Sequence, residues 1–99
     1  MKVSSTKTGN KCTLVIDGRI DTLTAPDLEK EVKVNLSGCD KMIFDFSSVE
    51  YISSAGLRVL VFVQQELANK GGVVLKGLNS NVEKIMTMTG LNNILTIEK

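Results

Sequence analysis

The hydrophobic period of this chain changes from that of a strand to that of a helix between residues 42 and 64. Residues 42–46 form a short β-favouring apolar run of the length that a buried strand needs. Leu57, Leu60, Val61 and Gln64 then recur at the helical spacing i, i+3, i+4, i+7. The sequence therefore predicts a strand, a loop and a helix from about residue 55 to residue 70, and this unit constrains the fold most strongly.

Ser54 stands at the predicted start of this helix, directly before Ala55 and Gly56. A serine there is most often a helix N-cap, because its hydroxyl accepts from the free backbone N–H groups of the first turn. The same position also accommodates a phosphate, since the unpaired N–H groups and the positive end of the helix macrodipole favour an anion. This segment alone leaves both interpretations open.

The composition favours one small globular domain, which we expect to span residues 1–99. The chain has 99 residues, of which 42% are hydrophobic and 23% are charged, and this is enough for a single core. The formal net charge is +1 and the lysines are scattered, so we expect neither nucleic acid nor membrane as a partner. We expect a cytoplasmic protein, because no signal-peptide core is visible and the longest apolar run is far shorter than the ~20 residues of a membrane span.

Several kinds of chemistry are disfavoured. Histidine is absent, so a Ser-His-Asp triad cannot form, and the chain has neither a Gly-x-Ser-x-Gly elbow nor a phosphate-binding loop. Cys12 and Cys39 stand far apart, which predicts buried free thiols. Asp21 and Asp45 would be the only plausible catalytic acids, but acids at strand ends and turns are usually solvated or bonded to their own backbone. We therefore expect no enzyme, no metal and no cofactor.

A β-hairpin and a helix are predicted before the central unit. Residues 3–8 and 12–17 are β-favouring, and Gly9-Asn10 between them is a two-residue turn signal. Thr24 with Asp27 resembles a capping box that opens the first helix.

Two strands and one helix are predicted after the central unit. Apolar runs at 73–75 and 94–97 indicate strands, and Ser80 with Glu83 resembles a capping box for a helix that stops at Gly90. The predicted order is β-β-α-β-α-β-α-β. An alternating order of this kind predicts the α/β class, with a small, mixed, mostly parallel sheet covered by helices.

Four short motifs in this order resemble the STAS family, in particular the bacterial anti-sigma factor antagonists. The motifs are GRID at 18–21, FDFSSV at 44–49, ISSAGL at 52–57 and MTGL at 88–91. Their combination at the family's spacings carries the resemblance, which covers nearly the whole chain.

The resemblance implies a protein that binds an anti-sigma factor, usually also a serine kinase, and thereby releases a sigma factor for transcription. Phosphorylation of the antagonist with ATP reverses the binding, and a PP2C-type phosphatase restores it. In the family the phosphorylated serine follows an aspartate and stands two residues before a glycine, which corresponds to Ser54 here. Ser53 occupies the aspartate position and is a second, less favoured acceptor.

The same resemblance and the helix pattern suggest a partner-binding face. Its candidate residues are Asp21, Ser53, Ser54, Ala55, Gly56, Arg58 and Phe62. Asp21 matches an aspartate that lies close to the phosphoserine in the family, and the alternative role is a turn residue bonded to backbone N–H groups. Arg58 lies one turn after Ser54 and can pair with a phosphate there.

Phe62 belongs to a second apolar stripe of the central helix, together with Val59 and Val63. Packing against the third helix explains Val59 and Val63, whereas Phe62 either packs or docks a partner.

The sequence leaves three classes of function open. They are a phospho-switched antagonist, a STAS scaffold or regulatory subunit of a lipid-transport or stress-signalling complex without phospho-switching, and, least favoured, a small enzyme.

Overall fold

The computed structural model describes residues 1–98. Its elements are β1 (Lys2–Thr8), β2 (Lys11–Ile20), α1 (Ala25–Leu36), β3 (Lys41–Ile52), α2 (Ser54–Leu67), β4 (Gly72–Lys76), α3 (Ser80–Thr89), a 3-10 turn (Leu91–Asn93) and β5 (Thr96–Glu98). The five strands form one sheet in chain order, with β1 antiparallel to β2 and the other neighbours parallel. The predicted fold class and element order are confirmed. Within the described residues, none of the helices has the length and hydropathy to cross a membrane.

Side-chain alternation in the strands places the core on one face of the sheet. In β2, Cys12, Leu14 and Ile16 are fully buried, while Val15 between them is 42% exposed. Strands β3 and β4 contribute Phe44 and Leu75 to the same core cluster. Buried apolar residues of the three helices complete this cluster: Ala25, Leu28 and Val32 of α1, Val59, Leu60, Val63 and Leu67 of α2, and Val82 and Met86 of α3.

Strand β3 is longer than predicted, because it continues from Phe46 to Ile52. Its pairing with β2 shifts register between Val15 and Asp17, which is a bulge that the chain crosses without leaving the sheet. The polar pair at 47–48 lies at this shift and therefore resembled a loop in the sequence. Only Ser53 separates the end of β3 from the first residue of α2, so the predicted loop is wrong.

The buried face of α2 differs from the predicted one. Of the residues expected to face the core, only Leu60 is fully buried, while Leu57, Val61 and Gln64 are half-buried. The supposed second stripe supplies core residues instead: Val59 is 5% exposed and Val63 is fully buried. The buried positions of α2 therefore lie one residue earlier in the chain than the predicted ones.

Phe62 borders both α1 and the end of α3. Val59, which was expected to pack against α3, instead lies beside Ala25 and Pro26 of α1. The Lys33 ammonium of α1 lies 5.6 Å from the centre of the Phe62 ring. Phe62 is half-buried and packs at the edge of the core.

The predicted capping boxes of α1 and α3 are also wrong in detail. The side chain of Asn79, and not of Ser80, caps α3 by accepting from the backbone N–H of Val82 at 2.8 Å. Thr24 precedes α1 but makes no capping bond, because its hydroxyl oxygen accepts from the backbone N–H of Asp21 at 2.8 Å while the hydroxyl donates to the carbonyl of Arg19 at 2.9 Å. Asparagine caps as well as serine, so the two neighbouring candidates at 79–80 could not be separated by preference alone.

Cys12 and Cys39 are buried free thiols, as predicted. The Cys12 thiol donates to the Asn35 carbonyl at 3.5 Å, and the Cys39 thiol donates to the Lys41 carbonyl at 3.3 Å. Burial, together with the neighbouring Cys12 thiol, raises the pKa of Cys39 to about 11. The Cys39 thiol is therefore protonated near neutral pH, and both buried thiols pack as small apolar groups.

Candidate functional site

Ser53 is the N-cap of α2, a role that the sequence assigned to Ser54. Its backbone is extended, with φ −89° and ψ 172°, and its hydroxyl oxygen accepts from the Gly56 N–H at 3.4 Å. Its own N–H donates to the Ile20 carbonyl at 2.8 Å, which ties the cap to the end of β2. The correction follows from the longer β3, because the helix begins one residue earlier than expected.

Ser54 is the first residue of α2, and its side chain is exposed. Its hydroxyl makes no hydrogen bond to any other part of residues 1–98. The first turn of α2 contains no acidic residue, so nothing there repels an added anion. Of the two candidate serines, Ser53 is engaged in the backbone and Ser54 is available.

Gly56 allows the start of α2 to lie directly against the sheet. A Cβ atom at this position would stand 2.5 Å from Cγ2 of Ile20 and 2.7 Å from Cγ1 of Ile52. Carbon atoms in contact normally lie about 3.5–4.0 Å apart, so a larger side chain would push the helix away from both strand ends. Gly56 is buried, and its small size lets the first turn of α2 lie close to Ile20 and Ile52.

Asp21 forms the turn between β2 and α1. Its Oδ1 accepts from the backbone N–H groups of Leu23 and Thr24, both at 3.0 Å. The N–H of Thr24 contributes most to a pKa of Asp21 below its ordinary value. The turn role that the sequence offered as an alternative is thus present, and the turn is joined to the site because Ile20, the residue before Asp21, accepts from Ser53.

Asp45 also bonds locally. Its Oδ1 accepts from the hydroxyl of Ser47 at 2.6 Å and from the backbone N–H of Ser47 at 3.0 Å. The Ser47 hydroxyl is the main cause of a pKa of Asp45 below its ordinary value. Both acids therefore bond to their own segments, in agreement with the interpretation preferred from the sequence.

Two grooves flank the exposed side of α2. The first, which we call the α1 groove, has a volume of about 330 Å³ and is lined by Thr22, Ala25, Pro26, Glu29, Ala55, Arg58, Val59 and Phe62. The second, which we call the α3 groove, has a volume of about 360 Å³ and is lined by Ser54, Leu57, Arg58, Val61, Phe62, Gln65, Thr89 and Leu91. Arg58 and Phe62 line both grooves and form a ridge between them, with Ser54 one turn before Arg58.

Of the two charged residues that line the grooves, Glu29 has a charged partner and Arg58 has none within residues 1–98. Glu29 of the α1 groove accepts from Lys33 at 2.9 Å, and the Lys33 ammonium also lies over the Phe62 ring. Arg58 is exposed and has no ion-pair or hydrogen-bond partner among residues 1–98. Of the predicted site residues, Ser54, Ala55, Arg58 and Phe62 line the grooves, whereas Ser53, Gly56 and Asp21 line neither of them.

The groove walls outside α2 were not foreseen. Thr22, Pro26 and Glu29 come from the segment around the start of α1, and no local pattern states which helix lies beside α2. Leu57 and Val61 were assigned to the core; they are half-buried, pack against its edge and also line the α3 groove. A further unforeseen contact lies at the same end of the sheet, where the guanidinium of Arg19 stands 4.8 Å from the ring centre of Tyr51.

A sequence model of the STAS domain matches residues 2–99. The chain belongs to the STAS domain family. It is 28% identical over 99 residues to BtrV of Bordetella bronchiseptica, which is assigned as an anti-sigma factor antagonist, and the match covers 98% of this chain and 85% of BtrV. It is 29% identical over 87 residues to the anti-sigma-B factor antagonist of Listeria monocytogenes, with 86% of this chain and 76% of that one covered.

Solved structures share the fold. An anti-sigma factor antagonist from Mycobacterium paratuberculosis superimposes with a TM-score of 0.88 at 22% identity, covering 97% of this chain and 83% of that one. The anti-sigma factor antagonist SpoIIAA in its unphosphorylated form gives a TM-score of 0.84 at 16% identity, over 99% of this chain and 89% of that one. The phosphorylated form of Bacillus SpoIIAA gives 0.76 at 15% identity, over 99% and 92%. At these identities the similarity concerns the fold of the STAS domain.

Proposed function

We propose that this protein is an anti-sigma factor antagonist whose unphosphorylated form binds an anti-sigma factor with serine kinase activity and so releases a sigma factor. Phosphorylation of Ser54 by that kinase switches the binding off, and a PP2C-type phosphatase restores it. The protein acts in this cycle as the substrate and ligand of enzymes and has no catalytic role itself.

The observation that carries the proposal is that Ser54 is exposed at the edge of a groove and unbonded within the described part of the chain. Its side chain is exposed, its hydroxyl is unbonded within residues 1–98, and it lines the α3 groove beside Arg58. A modified side chain there changes the charge of a partly apolar surface. Antagonist names among the STAS relatives, and a neighbour of the same fold solved in a phosphorylated form, support the same assignment.

The position of Ser54 explains how a phosphate would change binding and leave the fold intact. Ser53 holds the N-cap bond, so modification of Ser54 removes no hydrogen bond of the folded chain. A phosphate adds a charge of about −1.5 to −2 at a helix N-terminus, where the macrodipole favours it. A partner that contacts the ridge must then desolvate that charge, which weakens the complex.

The second candidate is a STAS scaffold or regulatory subunit of another complex, in which Ser54 stays unmodified. The observation in its favour is Ser53, which stands where the antagonists resembled by this chain carry an aspartate. Serine and aspartate are equally good caps, so the exchange preserves the helix start and removes a negative charge next to the acceptor. Recognition by a kinase that reads this charge would then be lost.

Incubation with the anti-sigma factor of the same cell and ATP, followed by intact mass measurement, separates the two candidates. We expect the wild-type protein to gain one phosphate, the Ser53→Ala variant to gain it as well, and the Ser54→Ala variant to gain none. Ser53→Ala serves as the matched control because it removes the neighbouring hydroxyl and keeps Ser54. Labelling of Ser54→Ala equal to that of wild type would refute the assignment of the acceptor, and a wild type that gains no phosphate would favour the scaffold.

A further inference from the structure

Arg58 is the one charged residue lining the two grooves that lacks a counter-charge within residues 1–98. The α3 groove has no other charged residue in its wall, and the α1 groove has only Glu29, which is already paired with Lys33 at 2.9 Å. Arg58 stands between the grooves with Phe62 one turn further along α2. The ridge thus presents a single uncompensated guanidinium between two largely apolar hollows.

Any protein surface that covers the ridge must supply a counter-charge for Arg58 and apolar groups for the side chains around it. Closing the grooves removes Arg58 from water, and a buried charge is tolerated in an interface only when an opposite charge and hydrogen bonds compensate it. A guanidinium presents its donors in a planar fork that matches the two oxygens of a carboxylate. The half-buried side chains around it, Leu57, Val61 and Phe62, require apolar neighbours on the other side of the interface.

We propose that Arg58 recognises one carboxylate of the anti-sigma factor, set between apolar side chains of the same segment that enter the α1 groove and the α3 groove. The inference rests on the proposed function and specifies its partner: the docking segment carries an aspartate or glutamate flanked by apolar residues. Arg58 fixes the register of that segment on α2, and Phe62 separates its two apolar side chains.

Charge substitutions at Arg58 test the inference with the full chain and the isolated anti-sigma factor. Removal of one partner of a buried charge pair strongly lowers binding affinity, so Arg58→Gln should weaken binding ~30-fold or more. Arg58→Glu should weaken it further, because it sets two carboxylates against each other. Lys84→Glu is the matched control, because it changes the net charge as Arg58→Glu does at an exposed position of α3 that lines neither groove. We expect Lys84→Glu to bind within about threefold of wild type, as is usual for an exposed charge.

The decisive experiment replaces each surface aspartate or glutamate of the anti-sigma factor in turn by lysine. The affinity of each of these variants for Arg58→Glu is then measured. We expect one such replacement to restore at least tenfold of the lost affinity, and the restoring position to have apolar neighbours. Unchanged affinity of Arg58→Glu, or the absence of any restoring position, would overturn the inference. Failure of the wild-type protein to bind an anti-sigma factor would instead refute the proposed function, so the two failures are distinguishable.

Discussion

Substitution of Gly56 by alanine tests whether the start of α2 is held in place by contact with the strand ends. Helix propensity alone would make Gly56→Ala stabilising by ~1 kcal/mol. The added Cβ, however, would lie 2.5 Å from Ile20 and 2.7 Å from Ile52, about 1 Å inside normal carbon–carbon contact. Overpacking of a core costs ~1–3 kcal/mol, and two simultaneous clashes place Gly56→Ala at the upper end of that range. The net loss of unfolding free energy is then ~2 kcal/mol.

Urea denaturation and thermal melting followed by circular dichroism measure this loss. A loss of ~2 kcal/mol corresponds to a fall in Tm of roughly 8–16 °C for a domain of this size. Ala55→Gly is the control, because it reverses the propensity change at the adjacent position and should cost ~1 kcal/mol. If the clash is real, Ile20→Ala should also cost less in the Gly56→Ala background than in wild type. A Gly56→Ala variant as stable as wild type, or more stable, would refute the close approach of α2 to the sheet.

Three further predictions concern stability. Leu60→Ala should lower the unfolding free energy by ~2–5 kcal/mol, and Val61→Ala by clearly less, because Leu60 is fully buried and Val61 half-buried; equal losses in chemical denaturation would contradict the observed helix phase. Ser53→Ala should cost ~1 kcal/mol as a lost cap, and Ser54→Ala less than about 0.5 kcal/mol; the reverse order would restore Ser54 as the cap. Because burial raises the pKa of Cys39 from 9.0 to about 11, only the unfolded thiol ionises between these values, so stability should fall by ~1–3 kcal/mol as the pH rises through this window. The Cys39→Ala variant should lack this part of the pH dependence, and an identical slope would contradict the assignment.

The element order could be predicted because it depends on local periods. Short apolar runs such as 73–75 are buried strand β4, and the Gly9-Asn10 turn closes the hairpin as expected. The buried thiols followed from the alternation around Cys12 and from the absence of metal-ligand spacing. In each case neighbours in sequence decide the structure.

The site could be predicted only in part, because its details depend on tertiary contacts. A bulge keeps β3 in the sheet past residues 47–48, and this shifts the start of α2 and the identity of its cap. Val59 and Val61 are both apolar and lie two positions apart, so only the packing of α2 decides that Val59 is buried and that Val61 is half-buried beside the α3 groove. For the same reason, no local sequence pattern predicts that residues around the start of α1 line the site.

The central claim is that charge on Ser54 controls partner binding from the surface and without refolding. Titration calorimetry of three forms against the isolated anti-sigma factor tests it: wild type, Ser54→Asp and the form phosphorylated at Ser54. We expect affinity to decrease in that order, with a loss of ~2 kcal/mol or more for the aspartate and a larger loss for the phosphate, while circular dichroism and Tm stay those of wild type. Equal affinities of the three forms would contradict the claim, and weakened binding accompanied by lost structure would replace the surface mechanism with a conformational one.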